Sequence, residues 1–195
     1  MRSKTMEKYP SDLRAQLMDD ETSIRAYLPL PEGGFIATLG FPGLAFDFAG
    51  AAYVDPFRMT ATLSAPALAN CKILIVLVES HEVPADAFQL LKEECSKLRI
   101  RLFHLPISDY DAPDGTFQNA WATVEPDLRA VFAAGGTVAL SCHYGAGRSG
   151  TIAASLLIRQ GLTTEAAIAA IRAQFAESIE SDKQLQWLKD LSPAA

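Results

Sequence analysis

The apolar residues of this chain gather in short runs that alternate with amphipathic stretches, and this pattern predicts alternating strands and helices. The clearest run is Ile-Leu-Ile-Val-Leu-Val at residues 73–78, which is apolar at every position. A strand without a polar face is typical of the centre of a mostly parallel sheet, where helices cover both faces. Shorter runs predict further strands at residues 35–39, 101–105 and 137–140.

Helices are predicted between and after these strands, because apolar residues recur there at helical spacing. The predicted helices cover about residues 57–69, 84–98, 117–133, 151–160, 163–175 and 182–191, with Pro56 as the first helix start and Pro66 interrupting that helix. Residues 28–34 and 44–56 are predicted to be turns or irregular structure. The order predicts an α/β fold with a central, mostly parallel β-sheet flanked by helices and a helical C-terminal third.

Length and composition are those of one folded unit. The chain has 195 residues, of which 49% are hydrophobic and 21% are charged, so it suffices for one sizeable core. Residues 1–25 are polar and are predicted to be an N-terminal extension, and residues 26–195 to be a single domain.

Charge and cysteine content narrow the classes of function. A formal net charge of −6 argues against a nucleic-acid partner and gives no basic face for an anionic membrane. Residues 1–20 show no signal-peptide pattern, and the run at 73–78 is too short to span a bilayer. Cys71, Cys95 and Cys142 form no close pair and no metal-ligand spacing, which favours a reducing compartment. We therefore expect a cytoplasmic protein.

The sequence Cys-His-Tyr-Gly-Ala-Gly-Arg-Ser-Gly at residues 142–150 lies between a predicted strand and a predicted buried helix. A glycine-containing turn before a helix N-terminus aims backbone N–H groups at one point and favours an anion there. Arg148 adds a planar fork of donors that suits a phosphate. The same field favours the thiolate of Cys142, which is its nucleophilic form. The pattern indicates phosphoryl transfer through Cys142, with a phosphate held by His143, Tyr144, Gly145, Ala146, Gly147 and Arg148.

This segment resembles the phosphate-binding loop of the cysteine-dependent protein phosphatases, and most closely that of their dual-specificity branch. The resemblance implies a protein tyrosine phosphatase-like fold and hydrolysis of phosphotyrosine and/or phosphoserine/threonine through a phosphocysteine intermediate. It also implies that the Ser149 hydroxyl stabilises the Cys142 thiolate as it leaves. The implied partner is a phosphorylated protein or a small phosphomonoester, and neither a metal nor an organic cofactor is implied.

A general acid for the leaving oxygen is expected on a loop near Cys142. The segment 103–114 leaves a predicted strand and carries three aspartates. It resembles the acid loop of the dual-specificity group, in which a Pro-Ile pair precedes the acid, and this match makes Asp109 the acid. Asp111 is the alternative, and Asp114 is expected to begin the next helix as a cap or a first-turn charge.

A third segment, Ile-Glu-Ser-Asp-Lys-Gln at residues 179–184, resembles the Ile-Glu-Thr-x-x-Gln segment of a subgroup that includes the cyclin-dependent kinase inhibitor 3 type. The resemblance implies that Gln184 places the water that hydrolyses the phosphocysteine. Glu82 follows the central strand and also fits this subgroup. Two interpretations of Glu82 stay open, an ion pair with Arg148 or a solvated turn charge.

The chain departs from the family at Ser141, where relatives usually carry a histidine that helps set the acidity of the thiol. A weaker hydrogen bond from the Ser141 hydroxyl is expected in its place. Lysine is absent at positions 143 and 146, which argues against a phosphoinositide phosphatase without excluding one. A catalytically weak phosphate-binding pseudophosphatase stays open as an alternative. A sulfur-transfer or arsenate-reducing enzyme stays open too, but such enzymes usually lack the downstream acid or use further cysteines, and Cys71 and Cys95 show no suggestive placement.

Overall fold

The computed structural model describes residues 22–191, which form a five-stranded sheet, a short hairpin and six helices. The strands are β1 (Ile24–Pro29), β2 (Phe35–Gly40), β3 (Leu44–Phe46), β4 (Ala52–Val54), β5 (Cys71–Val76), β6 (Arg101–His104) and β7 (Thr137–Cys142). The helices are α1 (Pro56–Leu63), α2 (Ala87–Leu98), α3 (Gly115–Ala133), α4 (Gly147–Arg159), α5 (Thr164–Arg172) and α6 (Asp182–Leu191). The predicted N-terminal extension lies largely outside the described residues.

The main sheet has the strand order β1-β2-β7-β5-β6, and all neighbours in it are parallel except β1 and β2. β7 is the central strand and is buried along its whole length. It ends with Cys142 paired to Gly40 of β2 and Ser141 paired to Val76 of β5. The predicted α/β class, with a mostly parallel sheet flanked by helices, is confirmed.

The apolar run at residues 73–78 has the burial that its sequence predicts, because no residue in it is exposed to solvent. β5 contributes its first part, and the chain stays beside β7 afterwards, where the Leu77 N–H donates to the Ser141 carbonyl. Each fully buried Ile or Leu stabilises the fold by roughly 1.5–3 kcal/mol relative to an exposed one. This core fixes the end of β7, and with it the position of Cys142.

Two parts of the chain differ from the predicted elements. Residues 24–29 form an edge strand although their sequence, Ile-Arg-Ala-Tyr-Leu-Pro, does not alternate cleanly and ends in proline. Residues 44–54 form a hairpin of two strands with three residues each, which are too short to give a periodic pattern. By contrast, Pro56 does start a helix, and Asp55 caps it by accepting from the Phe57 and Arg58 N–H groups.

Candidate active site

Cys142 lies at the carboxyl end of β7, and its side chain is 2% exposed. Its Sγ atom accepts a hydrogen bond from the Gly145 N–H at 3.2 Å, and the Ser149 hydroxyl lies 3.3 Å away. A backbone N–H directed at the sulfur can donate to negative charge on this atom. The loop that follows the strand therefore curls back over the sulfur, and the start of α4 completes it.

Glycine is required in this loop for steric reasons. Gly145 has φ +95°, and a Cβ there would lie 2.5 Å from the Gly40 nitrogen and 2.7 Å from Cγ of Arg25. A Cβ at Gly147 would collide with the carboxylate of Glu180. Gly145 is therefore required by a positive φ and by backbone atoms that cannot move aside, whereas the contact at Gly147 is with the end of a flexible side chain.

Arg148 is held by a buried fork-to-fork pair with Glu82, which decides the open interpretation of that residue. Nη1 and Nη2 of Arg148 donate to the two Glu82 carboxylate oxygens at 2.6 and 2.7 Å, and Nη1 also donates to the Ile107 carbonyl at 3.0 Å. Burial alone would raise the pKa of Glu82, but hydrogen bonds from Arg148 and from the Glu79 N–H, with the charge of Arg148, outweigh it and lower that pKa. Both terminal nitrogens of the Arg148 guanidinium are thereby held in place before substrate binds.

The acid loop follows β6 and brings one of its three aspartates to Arg148. Oδ1 of Asp109 lies 3.1 Å from Nη2 of Arg148, while its side chain is 56% exposed. Asp111 instead pairs with Lys183 at 3.0 Å, and Asp114 caps α3 by accepting from the Phe117 N–H at 2.7 Å. The geometry favours Asp109 over Asp111 as the general acid, and its role stays a prediction.

Gln184 is fully buried beside the loop rather than exposed on the last helix. Its Oε1 accepts from the N–H groups of Glu180 and Ser181 at 2.9 and 3.3 Å, so Nε2 is the end of the amide that points toward the acid loop. Nε2 is 3.4 Å from the Asp111 carbonyl of the acid loop. The predicted water-positioning residue thus lies between the acid loop and the start of α4.

The rim of the loop contains a residue that the sequence analysis missed. Nε of Arg25, on β1, donates to the Tyr144 carbonyl at 3.1 Å, and its guanidinium stacks over the rings of Tyr144 and Phe175 at 4.8 and 5.4 Å. On the other side, the His143 ring lies 6.1 Å from that of Phe46. Arg25 gave no local signal, because it belongs to the edge strand that the pattern did not predict.

The Ser141 side chain does not form, with any described residue, the hydrogen bond that was expected in place of the family's histidine. Its hydroxyl is fully buried and has no hydrogen-bond partner among the described residues. The predicted hydrogen bond from this side chain is therefore absent from that part of the chain. The Gly145 N–H and the Ser149 hydroxyl are the groups that contact the sulfur instead.

In the part of the chain that the structure describes, no three or more His, Cys, Asp or Glu side chains cluster in a way that could hold a metal ion. No helix within residues 22–191 combines the length and apolar character needed to cross a bilayer.

The fold and the cysteine loop define a class: this is a cysteine-based phosphatase of the dual-specificity and protein tyrosine phosphatase superfamily. Residues 51–162, more than half of the chain, match the model of the family described as Tc-R-P, polymorphic toxin system, DSP-PTPase phosphatase. The chain belongs to that family. The narrower resemblance to the cyclin-dependent kinase inhibitor 3 type stays a prediction. No curated protein shows significant similarity to the chain.

Solved structures share the fold at low sequence identity. The active form of Tk-PTP is 23% identical with a TM-score of 0.60, over 87% of this chain and 95% of that one. Kinase associated phosphatase, with its catalytic-site cysteine replaced by serine, is 20% identical with a TM-score of 0.67, over 86% and 92%. PTPMT1 in complex with PI(5)P is 19% identical with a TM-score of 0.58, over 85% and 93%. These likenesses show the protein tyrosine phosphatase-like fold.

Proposed function

We propose that the chain is a protein phosphatase that hydrolyses phosphotyrosine and/or phosphoserine/threonine through a phosphocysteine on Cys142. The observation that carries this proposal is the loop itself. It surrounds the Cys142 sulfur with the Gly145 N–H and the Ser149 hydroxyl, and Arg148 is already oriented by Glu82. A thiol nucleophile works only while it is reduced, so a reducing compartment such as the cytoplasm fits this mechanism.

In the first step the Cys142 thiolate attacks phosphorus, so that a sulfur–phosphorus bond forms as the ester oxygen–phosphorus bond breaks. The loop N–H groups and Arg148 stabilise the charge that spreads over the three equatorial oxygens. Asp109 gives its proton to the departing oxygen. Since Asp109 contacts Arg148 at 3.1 Å, a phosphate held by Arg148 would lie within reach of this carboxyl group.

In the second step water attacks the phosphocysteine and Cys142 leaves as a thiolate. Asp109, now ionised, takes a proton from the water, and Gln184 orients the water with its Nε2 amide. The Ser149 hydroxyl, 3.3 Å from the sulfur, stabilises the departing thiolate. Free phosphate and the unmodified enzyme result.

Two other functions use the same loop. A catalytically weak phosphate-binding protein would keep the loop amides and Arg148 without efficient turnover, and the unpartnered Ser141 hydroxyl favours this reading. A phosphoinositide phosphatase is suggested by the PTPMT1 neighbour, which was solved with PI(5)P, but positions 143 and 146 hold His and Ala rather than Lys. Turnover of phosphopeptides beside inositol phosphates separates the substrate classes. The matched family is described as part of a polymorphic toxin system, and we propose that this phosphatase acts in such a system.

The proposed mechanism is tested by the pH–rate profile for p-nitrophenyl phosphate, with wild type beside Asp109→Asn and Cys142→Ser. We expect a bell-shaped profile for wild type and no turnover for Cys142→Ser, which keeps phosphate binding. Asp109→Asn should lose the basic limb and roughly 10²–10⁴-fold in rate, as for other general acids. A wild-type protein that binds phosphate but turns nothing over would be a phosphate reader instead.

A further inference from the structure

A second carboxylate lies at the phosphate-binding loop, and the mechanism above does not use it. The Glu180 carboxylate lies directly beside Gly147, and its Oε2 occupies the space where a Cβ of residue 147 would be. Gly147 is the first residue of α4, so its N–H is one of the unpaired donors that favour an anion at a helix N-terminus. The carboxylate therefore lies next to a donor that we assign to the phosphate.

Glu180 is held in this place by its own backbone. Its N–H donates to the buried Gln184 amide at 2.9 Å, and the preceding N–H, of Ile179, donates to the Ala146 carbonyl at 3.4 Å. Arg172 secures the turn from the other side, because it donates to the carbonyls of Ser178 and Ile179 at 3.0 and 2.9 Å. The outer part of the Glu180 side chain faces solvent. These contacts fix the backbone from which the Glu180 side chain reaches the loop.

The charges around Glu180 disfavour its ionised form. Burial is the largest effect and raises its pKa, and the nearby Asp109 and Glu177 carboxylates raise it further. The Gly147 N–H and Arg148 act in the opposite direction and lower it, and the net pKa lies above the ordinary value. A bound phosphate would add further negative charge beside Glu180 and strengthen the preference for its neutral carboxyl form.

We propose that phosphate binding in this loop is coupled to the uptake of a proton by Glu180. The proton comes from solvent and forms an O–H bond on the carboxylate. The neutral carboxyl then donates a hydrogen bond to a phosphate oxygen instead of repelling the bound anion. No other bond changes, and the proton returns to solvent when phosphate leaves. This inference rests on the proposed phosphate site, and it makes Glu180 a residue that sets substrate affinity as a function of pH.

The direct test is calorimetry of sulfate binding to the full chain, in buffers of different ionisation enthalpy. Sulfate is chosen because it does not titrate near neutral pH, and a Cys142→Ser background removes the thiol. We expect binding to take up protons in the pH range between the pKa of Glu180 in the free protein and its higher pKa in the complex, and affinity to fall as pH rises through that range. Adding Glu180→Gln should abolish most of this uptake and tighten binding, since the amide resembles the neutral acid.

Control variants assign the proton. Glu177→Gln removes a nearby carboxylate that does not contact Gly147, and it should keep the uptake. Asp109→Asn should keep most of it as well. Uptake that persists in Glu180→Gln and disappears in Asp109→Asn would overturn the inference, because the proton would belong to the acid loop. If neither the Cys142→Ser protein nor its Glu180→Gln variant binds sulfate or phosphate, the phosphate site itself, and with it the proposed function, is wrong.

Steady-state kinetics on an otherwise wild-type chain provide an independent measurement. Glu180→Gln should lower KM for p-nitrophenyl phosphate at neutral pH, flatten the pH dependence of KM and leave kcat within a few-fold. A large fall in kcat with an unchanged KM would mean that Glu180 transfers protons in the chemical step, which contradicts the binding role.

Discussion

Two Arg–carboxylate pairs in this protein have the same closest N–O distance and very different surroundings. Arg148 and Glu82 approach to 2.6 Å with side chains only 2% and 12% exposed, whereas Arg101 and Asp127 approach to 2.6 Å with 57% and 40% exposed. Solvent screens an exposed pair, so it contributes little, while removing one partner of a buried pair leaves an uncompensated charge. The buried pair is therefore the one on which function and stability depend.

We predict that Glu82→Gln lowers kcat/KM by about 10–100-fold, because the Arg148 fork loses its fixed orientation. The same change should lower the free energy of unfolding by about 2 kcal/mol. Asp127→Asn is the matched control and should leave both quantities almost unchanged. Denaturant unfolding and steady-state kinetics measure the two effects. Equal behaviour of the two variants would contradict the assigned importance of burial.

The stability effect of Glu82 also has a predicted pH dependence. The folded-state pKa of this carboxyl is lowered from its ordinary value of 4.5, so the unfolded state binds its proton more readily. The stabilisation is therefore fully present above pH 4.5 and is lost as pH falls through the lowered folded-state pKa. The difference in stability between wild type and Glu82→Gln should be constant near neutral pH and shrink in acid.

At the residue scale, sequence reasoning found the groups whose spacing is local and missed those that arrive from elsewhere. Cys142 and Arg148 lie on one loop, so their spacing along the chain already predicts that they lie close together. The partner of Arg148 was left between two interpretations, since a turn glutamate has the same sequence whether it is paired or solvated. Arg25 and the loop contact of Glu180 depend on how distant segments pack, and no periodic pattern reports that.

At the element scale, the turn between α5 and α6 connects the helical third of the chain to the active site. It places Ile179 in a left-handed conformation, with φ 64°, which is costly for a β-branched residue. Arg172 compensates by donating to two carbonyls of this turn. The turn thereby holds Gln184 next to the acid loop.

We predict that Arg172→Ala slows the second chemical step more than the first. Without its two hydrogen bonds the turn relaxes toward an unstrained backbone, and Gln184 no longer holds the attacking water. Rapid-mixing kinetics with p-nitrophenyl phosphate should then show a burst of p-nitrophenol followed by a slower steady state. Arg159→Ala, at the end of α4, is the control and should show wild-type kinetics. A variant without a burst and with normal kcat would show that the turn does not depend on Arg172.

The fold could be predicted at this scale wherever an element is long or wholly apolar. β5, β7 and the helices follow from such patterns. β1 and the β3–β4 hairpin could not be predicted, because an edge strand needs only one apolar face and strands of three residues have no period. The helix predicted from residue 84 begins at Ala87, because the Ala87 N–H closes a turn onto the Pro84 carbonyl first.

At the scale of the whole molecule, the three cysteines divide into one that faces the site and two that belong to the core. All three are free thiols. Burial raises the pKa of Cys71 and of Cys95 to about 12 each, so both stay neutral near physiological pH. A neutral, buried thiol is a poor nucleophile. This arrangement disfavours those sulfur-transfer and arsenate-reducing alternatives that use further cysteines.

We predict that iodoacetamide at pH 8 modifies Cys142 in the native protein and leaves Cys71 and Cys95 unmodified. Denaturation in urea should expose all three to the reagent, and phosphate should protect Cys142 in the native state. Mass spectrometry of peptides gives the site of each modification. Rapid native labelling of Cys71 or Cys95, or loss of activity in their serine variants, would return the sulfur-chemistry alternatives to consideration.

The positions of β1 and β2 have a consequence for how far this domain can be shortened. The family match covers residues 51–162, which hold Cys142, Arg148 and Asp109, yet β1 and β2 precede that span and α6 follows it. A fragment limited to residues 51–162 would lack β2. It would leave β7 as an unpaired edge strand that is apolar on both faces and prone to self-association. We therefore predict that the smallest stably folded fragment runs from Ser23, ahead of β1, to the end of α6. Gene fusions that preserve only the recognisable middle should yield insoluble protein.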